Sequence, residues 1–320
     1  EETPEFYIAA AGSLLGVAIN RQHYSFPVGK VETITLYPLD FEEYLWARGK
    51  ELLSEEIRAA YDAMEPLPDA LHQEAVELYR EYLIIGGMPA CNVFLKSGSF
   101  LDVPLVQNEI LDNYIADMAK YASNTDSVKI RACYNSIPAQ LAKENKKFQY
   151  KVVQKGGSAT LFGASIEWLN LAGVVLKCQR INQAFEPIAV YADLSAFKLY
   201  MGDVGLLTMK SGISQQTVLS GEGNTFMGAV TENYVAQQLA AKGYDLYYWE
   251  SNSTAELDFV LQKGNQIIGI EVKKGEHVRS RSLSVFVNNY KPAYSIRLSL
   301  KNFGEKDGLK SVPLYAAFCI

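Results

Sequence analysis

Residues 256–273 read Glu-Leu-Asp-Phe-Val-Leu-Gln-Lys-Gly-Asn-Gln-Ile-Ile-Gly-Ile-Glu-Val-Lys, with apolar and polar positions alternating on both sides of Gly264-Asn265. A Gly/Asn pair between two alternating runs specifies a tight β-hairpin. Few features restrict a fold as closely, because the turn sets the register and the register decides which side chains reach the core. A two-residue turn at 264–265 puts Asp258 opposite Glu271 and Glu256 opposite Lys273, all four on one face. Leu257, Phe259, Leu261, Ile268, Ile270 and Val272 take the other face and read as core.

Asp258 opposite Glu271 is anomalous, since like charges across a ladder destabilise it and Asp is a poor strand former. One explanation is a cation between them. Two carboxylates beside a lysine suit a hard divalent ion such as Mg²⁺, which takes oxygen ligands. The competing explanation is a solvated polar face carrying a Glu256–Lys273 pair.

At 320 residues and 48% hydrophobic, the chain can bury an extensive core and is expected to hold two or three domains. It has no apolar run of the roughly 18 residues that a membrane-spanning helix requires. Its start, Glu-Glu-Thr-Pro-Glu, is acidic, lacks Met and reads as a cut within a longer chain. Cys91, Cys133, Cys178 and Cys319 are scattered without C-x-x-C spacing, which points to reduced thiols in a cytoplasmic protein rather than a zinc site. His23, His72 and His277 are equally scattered and read as surface or packing residues. The net charge of −6 hides a segregation: residues 1–125 carry 20 acidic and 8 basic side chains, whereas residues 126–185 carry 3 and 9. A basic segment inside an acidic chain keeps nucleic acid in play as a partner.

Residues 6–11 and 31–36 read as strands. Asp40 followed by Glu43 is a capping-box signature for a helix that begins at residue 41. Residues 51–64 and 69–85 are helical and acidic, Gly86-Gly87-Met88-Pro89 stops the second helix, and Pro104 opens another over 101–121. Ile130, Tyr134, Ile137 and Leu141 mark an amphipathic helix, residues 150–154 a short one, and 165–171 a third, before a strand at 174–180. Three helices and a strand pair form the winged-helix pattern, which docks on DNA in many proteins. A winged helix that contacts protein, or a helical linker, fits the same pattern. Residues 186–224 read as loop-rich, with a turn at Asp203 and Gly205. From Phe226 the pattern is helical, and Glu232 shares a stripe with Gly228, Val235, Ala236 and Leu239. A carboxylate there is costly unless it is paired, metal-bound or able to reach water. The C-terminal order reads helix, three strands, helix, two strands (near 294–298 and 313–318), a mixed α/β layer.

Glu232 on a helix, Asp258 on a strand and Glu271-Val272-Lys273 on the next resemble the PD-(D/E)XK nuclease-like fold. The same residues resemble a bacterial and archaeal group of AAA-type ATPases in which a P-loop domain precedes a C-terminal domain of unknown function. Supporting stretches are Leu-Tyr-Pro-Leu-Asp-Phe-Glu-Glu-Tyr-Leu at 36–45, Gly-Gly-Met-Pro at 86–89, Phe-Gln-Tyr-Lys at 148–151, Phe-Lys-Leu-Tyr-Met-Gly-Asp at 197–203 and Gly-Ala-Val-Thr-Glu-Asn at 228–233. The resemblance implies four parts: residues 1–45 as the end of the ATPase core, 46–125 as a helical lid or linker, 126–185 as a winged-helix-like unit, and 186–320 as a PD-(D/E)XK nuclease-like domain. No G-x-x-x-x-G-K-[ST] phosphate loop occurs in the sequence. The ATP-binding half is therefore expected upstream of this stretch. Where relatives carry Thr-Gly-Ser, this chain has Ala11-Gly12-Ser13.

Two functions follow as expectations. In the first, the C-terminal domain cleaves nucleic acid, preferably DNA: Asp258 and Glu271 hold Mg²⁺, Glu232 completes the metal site, and Lys273 orients or activates the attacking water. Lys143, Lys146 and Lys147 would then contact phosphates. In the second, the same fold is a catalytically inactive binding or regulatory module coupled to the ATPase, with a protein partner.

Overall fold

A computed structural model of the chain describes residues 34–94, 100–122, 124–221, 224–251, 255–275 and 281–320, together with Ala9 and Glu32. The strand expected at 6–11, the Ala11-Gly12-Ser13 stretch, His23 and His277 lie outside the described residues. Residues 34–36 are irregular rather than the end of a strand.

Asp40 caps helix α1 (Phe41–Ala47) by accepting from the Glu43 amide at 2.9 Å, while the Glu43 carboxylate accepts from the Asp40 amide at 2.9 Å. This is the reciprocal box that the spacing predicts. Helices α2 (Glu51–Ala63), α3 (Asp69–Ile85), α4 (Pro89–Phe94) and α5 (Val103–Tyr121) follow, with Pro104 in the first turn of α5. Helix α6 (Asn124–Leu141) buries Ile130, Tyr134, Ile137 and Leu141, the stripe read from the sequence. After the short α7 (Tyr150–Val153), helix α8 (Ala159–Leu171) begins well before residue 165, because the Ser158 hydroxyl caps it on the Leu161 amide.

Strand β1 (Val175–Ile181) leads to β2 (Ala192–Met201), and helices α9 (Val204–Ser211) and α10 (Gln215–Ser220) follow. The loop-rich reading of 186–224 is thus corrected to a long strand and two helices. Asp203 is not merely a turn residue: it caps α9 on the Leu206 amide and accepts from the Gly87 amide at 2.6 Å, tying the helical layer to the sheet layer. The remaining elements are α11 (Met227–Ala241), β3 (Tyr247–Glu250), β4 (Glu256–Lys263), β5 (Gln266–Val272), α12 (Arg281–Tyr290), β6 (Ser295–Ser299), β7 (Gly304–Lys306) and β8 (Leu309–Pro313). The final strand therefore ends at Pro313, where it was expected to begin, and residues 314–319 form a 3₁₀ turn in place of the expected strand.

The eight strands among the described residues form one mixed sheet in the order β2-β1-β3-β4-β5-β6-β8-β7. The strand pair expected as a separate wing is the edge of this sheet, since β1 pairs antiparallel with β2 and parallel with β3. On one face of the sheet lies α11, backed by the helical layer, and the larger core fills that side. On the other face a smaller core of Ile181, Trp249, Leu257, Val260 and Phe286 sits beneath α12. Among the described residues no helix is long and apolar enough to cross a membrane.

Candidate functional site

The hairpin forms in the register that its turn dictates: Phe259 faces Ile270, Leu261 faces Ile268, and Gly264 takes φ +62°. Its regularity stops at Asp258. Strand β3 pairs Tyr247 with Val260 but Trp249 with Leu257, so β4 carries an extra residue there, a β-bulge. The bulge reverses the alternation. Leu257 joins Val260 in the core under α12, whereas Phe259 and Leu261 stay in the core shared with α11. Instead of confronting Glu271, the Asp258 carboxylate turns to accept from the Val272 amide at 2.7 Å.

Glu232 lies midway along α11, a helix with almost every residue buried, and is itself 2% exposed. One of its carboxylate oxygens accepts from the Lys198 ammonium at 3.0 Å and the Tyr200 hydroxyl at 2.5 Å. The other is held by Lys146. Lys198, on β2, is completely buried. It also contacts Glu256 at 2.6 Å and stands over the Tyr248 ring at 4.9 Å from its centre. Burial works to raise the Glu232 carboxyl, but the Lys198 and Lys146 charges and the hydrogen bonds from Lys146 and Tyr200 outweigh it and hold the group down to about 2. Asp258 is pushed up to about 6 by burial and by the Glu232 charge, with Lys198 and Lys146 only partly offsetting them. Lys198 keeps its proton: burial opposes the charge, but Glu232, Glu256 and Asp258 raise its affinity well above that of an ordinary lysine.

Glu271 belongs to a different group. Ile270 and Val272 face the α11 core, so Glu271 between them faces the other side of the sheet. Gly269, two residues away on that same side, lies where a Cβ would strike Leu257 and Phe286. Glu271 is buried between Lys273 at 3.0 Å and Arg297 at 3.6 Å, and Arg297 is its neighbour on β6. The expected Glu256–Lys273 pair is therefore replaced by Glu256–Lys198 and Glu271–Lys273. The structure brings Glu232 and Asp258 close enough for the Glu232 charge to act on Asp258 and for Lys198 and Lys146 to act on both, and leaves Glu271 and Lys273 paired with each other on the opposite side of the sheet.

A divalent cation does not fit these donors as they stand. Both Glu232 oxygens are engaged, Asp258 spends an oxygen on the backbone, and Glu271 faces away. Among the described residues no group of three or more His, Cys, Asp or Glu side chains is placed to hold a metal ion.

The three lysines expected to meet phosphates lie on the loop between α6 and α7, and two of them point inward. Lys146 is on Glu232, and Lys147 is 2.6 Å from Glu250, which also pairs with Arg180 at 3.1 Å. Lys143 and Lys146 line a cleft of about 640 Å³ together with Glu250, Glu256 and Asp258. Sequence reading missed Lys198, Tyr200, Glu250 and the inward role of Lys146. The one signal was Lys198 itself, a lone cation in the apolar run Ala-Phe-Lys-Leu-Tyr-Met at 196–201.

Two domains of unknown function match the chain: DUF8612 over residues 76–217 and DUF4143 over residues 227–317. DUF4143 is found in C-terminal regions associated with AAA ATPases. Among curated proteins, the uncharacterized proteins Mb2031c of Mycobacterium bovis and Rv2008c of Mycobacterium tuberculosis are each 38% identical over 79 residues, 24% of this chain. The matched stretch spans 18% of the length of each relative. No solved structure matches the chain.

Proposed function

We propose that residues 186–320 form a nuclease-fold-like module that binds a protein partner and regulates an attached AAA-type ATPase, without metal-dependent cleavage of its own. The observation that carries this reading is Glu232, whose two oxygens are both held by groups of the chain itself, at the point where the resemblance calls for a metal. The inward pairing of Lys146 and Lys147 favours a protein partner over a phosphate backbone. The match to a domain associated with AAA ATPases supports the coupling. The competing cleavage reading retains its residue types in the expected order, but it requires Glu271 to reach the face occupied by Glu232.

The test is a cleavage assay on the chain, alone and with its upstream part restored, using single- and double-stranded DNA and RNA with Mg²⁺ or Mn²⁺. The expected result is no turnover above that of an Asp258→Asn control. Metal-dependent cleavage by the wild-type protein that the substitution abolishes would overturn the proposal.

A further inference from the structure

Helix α11 is buried between the sheet and the helical layer, and its two sides hold different parts of the chain. On one side, Glu232 is bound by Lys198 and Tyr200 of β2 and by Lys146 of the 143–147 loop. At about 3.6 residues per turn, Tyr234, Gln237 and Gln238 come round to the other side. There they hold residues 39–42. The Phe41 amide donates to Gln238 Oε1 at 2.9 Å, and the buried Phe41 ring meets the Tyr234 ring edge-on, 6.4 Å between centres. Gln237 Nε2 donates at 2.9 Å to the Tyr82 hydroxyl, which in turn donates to the Leu39 carbonyl. Just past the helix, Lys242 pairs with Asp40 at 3.0 Å. Gln238 is completely buried, and its Nε2 has no partner among the described residues. Burying an amide with its nitrogen unmet is costly, so the bond to Phe41 is the reason for a glutamine at this place.

Residues 39–42 are also where the chain is first fastened down. Ile34 and Leu36, ahead of them, are 83% and 95% exposed. Among the described residues, the first backbone hydrogen bond is the one from the Leu39 amide to the Gly87 carbonyl at 2.8 Å. At the cleft, Lys146 is the movable partner of Glu232, whereas Lys198 has no exposure at all. The Lys146 side chain is 21% exposed beside the cleft, and its backbone sits at φ +48°, in the left-handed region that a lysine seldom occupies.

We infer that α11 couples the cleft to residues 39–42: a protein partner that enters the cleft and draws Lys146 off Glu232 loosens the hold of Tyr234, Gln237 and Gln238 on that segment. Without Lys146, Glu232 stays buried with one cation fewer, and an undercompensated buried charge favours opening of the helix that carries it. Coupling between two sites is reciprocal, so loosening residues 39–42 equally loosens the 143–147 loop. This coupling rests on the binding-module reading and gives it a route, from the cleft through α11 to the segment that leads upstream towards the ATPase.

The experiment is hydrogen exchange, followed by mass spectrometry, on the wild-type chain, Lys146→Ala, Gln238→Ala and Gly264→Ala. Gly264→Ala weakens the hairpin turn and serves as the measure of general destabilisation. Lys146→Ala should speed exchange several-fold in peptides covering 39–45, beyond the change in Gly264→Ala. Gln238→Ala should do the same in peptides covering 142–148. If Lys146→Ala does not fold, Lys146→Gln, which keeps a hydrogen-bond donor for Glu232, is measured in its place. Unchanged exchange over 39–45 in the Lys146 variant, or over 142–148 in Gln238→Ala, would overturn the coupling, as would rises no larger than those in Gly264→Ala. Exchange is measured without nucleic acid or metal, so failure here is distinct from failure of the binding-module reading, which shows as metal-dependent cleavage.

Discussion

Lys198 occupies one of the costliest places a protein can give an ammonium group, and it stays charged because its partners are as fixed as it is. Breaking a buried pair by removing one member leaves an uncompensated charge, whereas removing both is far cheaper. Lys198→Met should therefore cost about 3–5 kcal/mol in denaturant unfolding. Lys198→Met/Glu232→Gln should cost clearly less than the sum of the singles; additive losses would mean the two groups are not coupled. Asp258 makes a prediction in pH. Its folded carboxyl is raised to about 6, above the unfolded value, so the native state binds more protons between the two. The stability linked to this proton is fully present below the unfolded value and is lost as pH rises through about 6. Asp258→Asn should therefore melt above the wild type at about pH 7–8, with the difference shrinking towards about pH 4. A variant that gains nothing at high pH would contradict the assignment. Glu232 was legible in the sequence as an apolar-stripe carboxylate in need of a partner. Its partners were not, because they come from a strand and a loop that only the assembled sheet brings to it.

At the scale of elements, the hairpin was the most legible part of the chain, since its turn and alternation fix its register together. Gly264 is left-handed at φ +62° with open space around it, so Gly264→Ala tests the turn alone. It should cost about 1–2 kcal/mol by chemical denaturation, with the sheet otherwise intact. Gly87→Ala should cost more, because the added Cβ would sit 2.1 Å from the Leu39 carbonyl oxygen and force the loop away from Asp203. Equal losses for the two substitutions would show that the Gly87 approach is not a tight joint. The bulge at Asp258 was hidden from the sequence, because it is set by pairing with β3, and alternation within one strand carries no record of that neighbour. It alone moves Leu257 to the opposite core and turns Asp258 away from Glu271. Strand β2 was missed for a related reason: a lysine interrupts its apolar run, and only Glu232 and Glu256 make that lysine acceptable in a core.

Across the whole molecule, the charge segregation visible in the sequence serves a different end from the one it first suggests. The basic 126–185 stretch sends Lys146, Lys147 and Arg180 into ion pairs with Glu232, Glu250 and Asp193, so part of its charge joins the helical layer to the sheet. Replacing Lys143, Lys146 and Lys147 together with Ala should therefore lower the melting temperature and leave weak DNA binding with an unchanged salt slope. A slope reduced by two or three counterions would return these lysines to a phosphate-contacting role. The central claim is that side-chain ammonium groups, not a metal, neutralise the Glu232 pocket. The most direct measurement is anomalous diffraction from crystals of the wild-type chain soaked in Mn²⁺. The account predicts no anomalous peak at Glu232, with Lys198 and Lys146 in contact with its carboxylate; a Mn²⁺ peak shared by Glu232, Asp258 and Glu271 would contradict it.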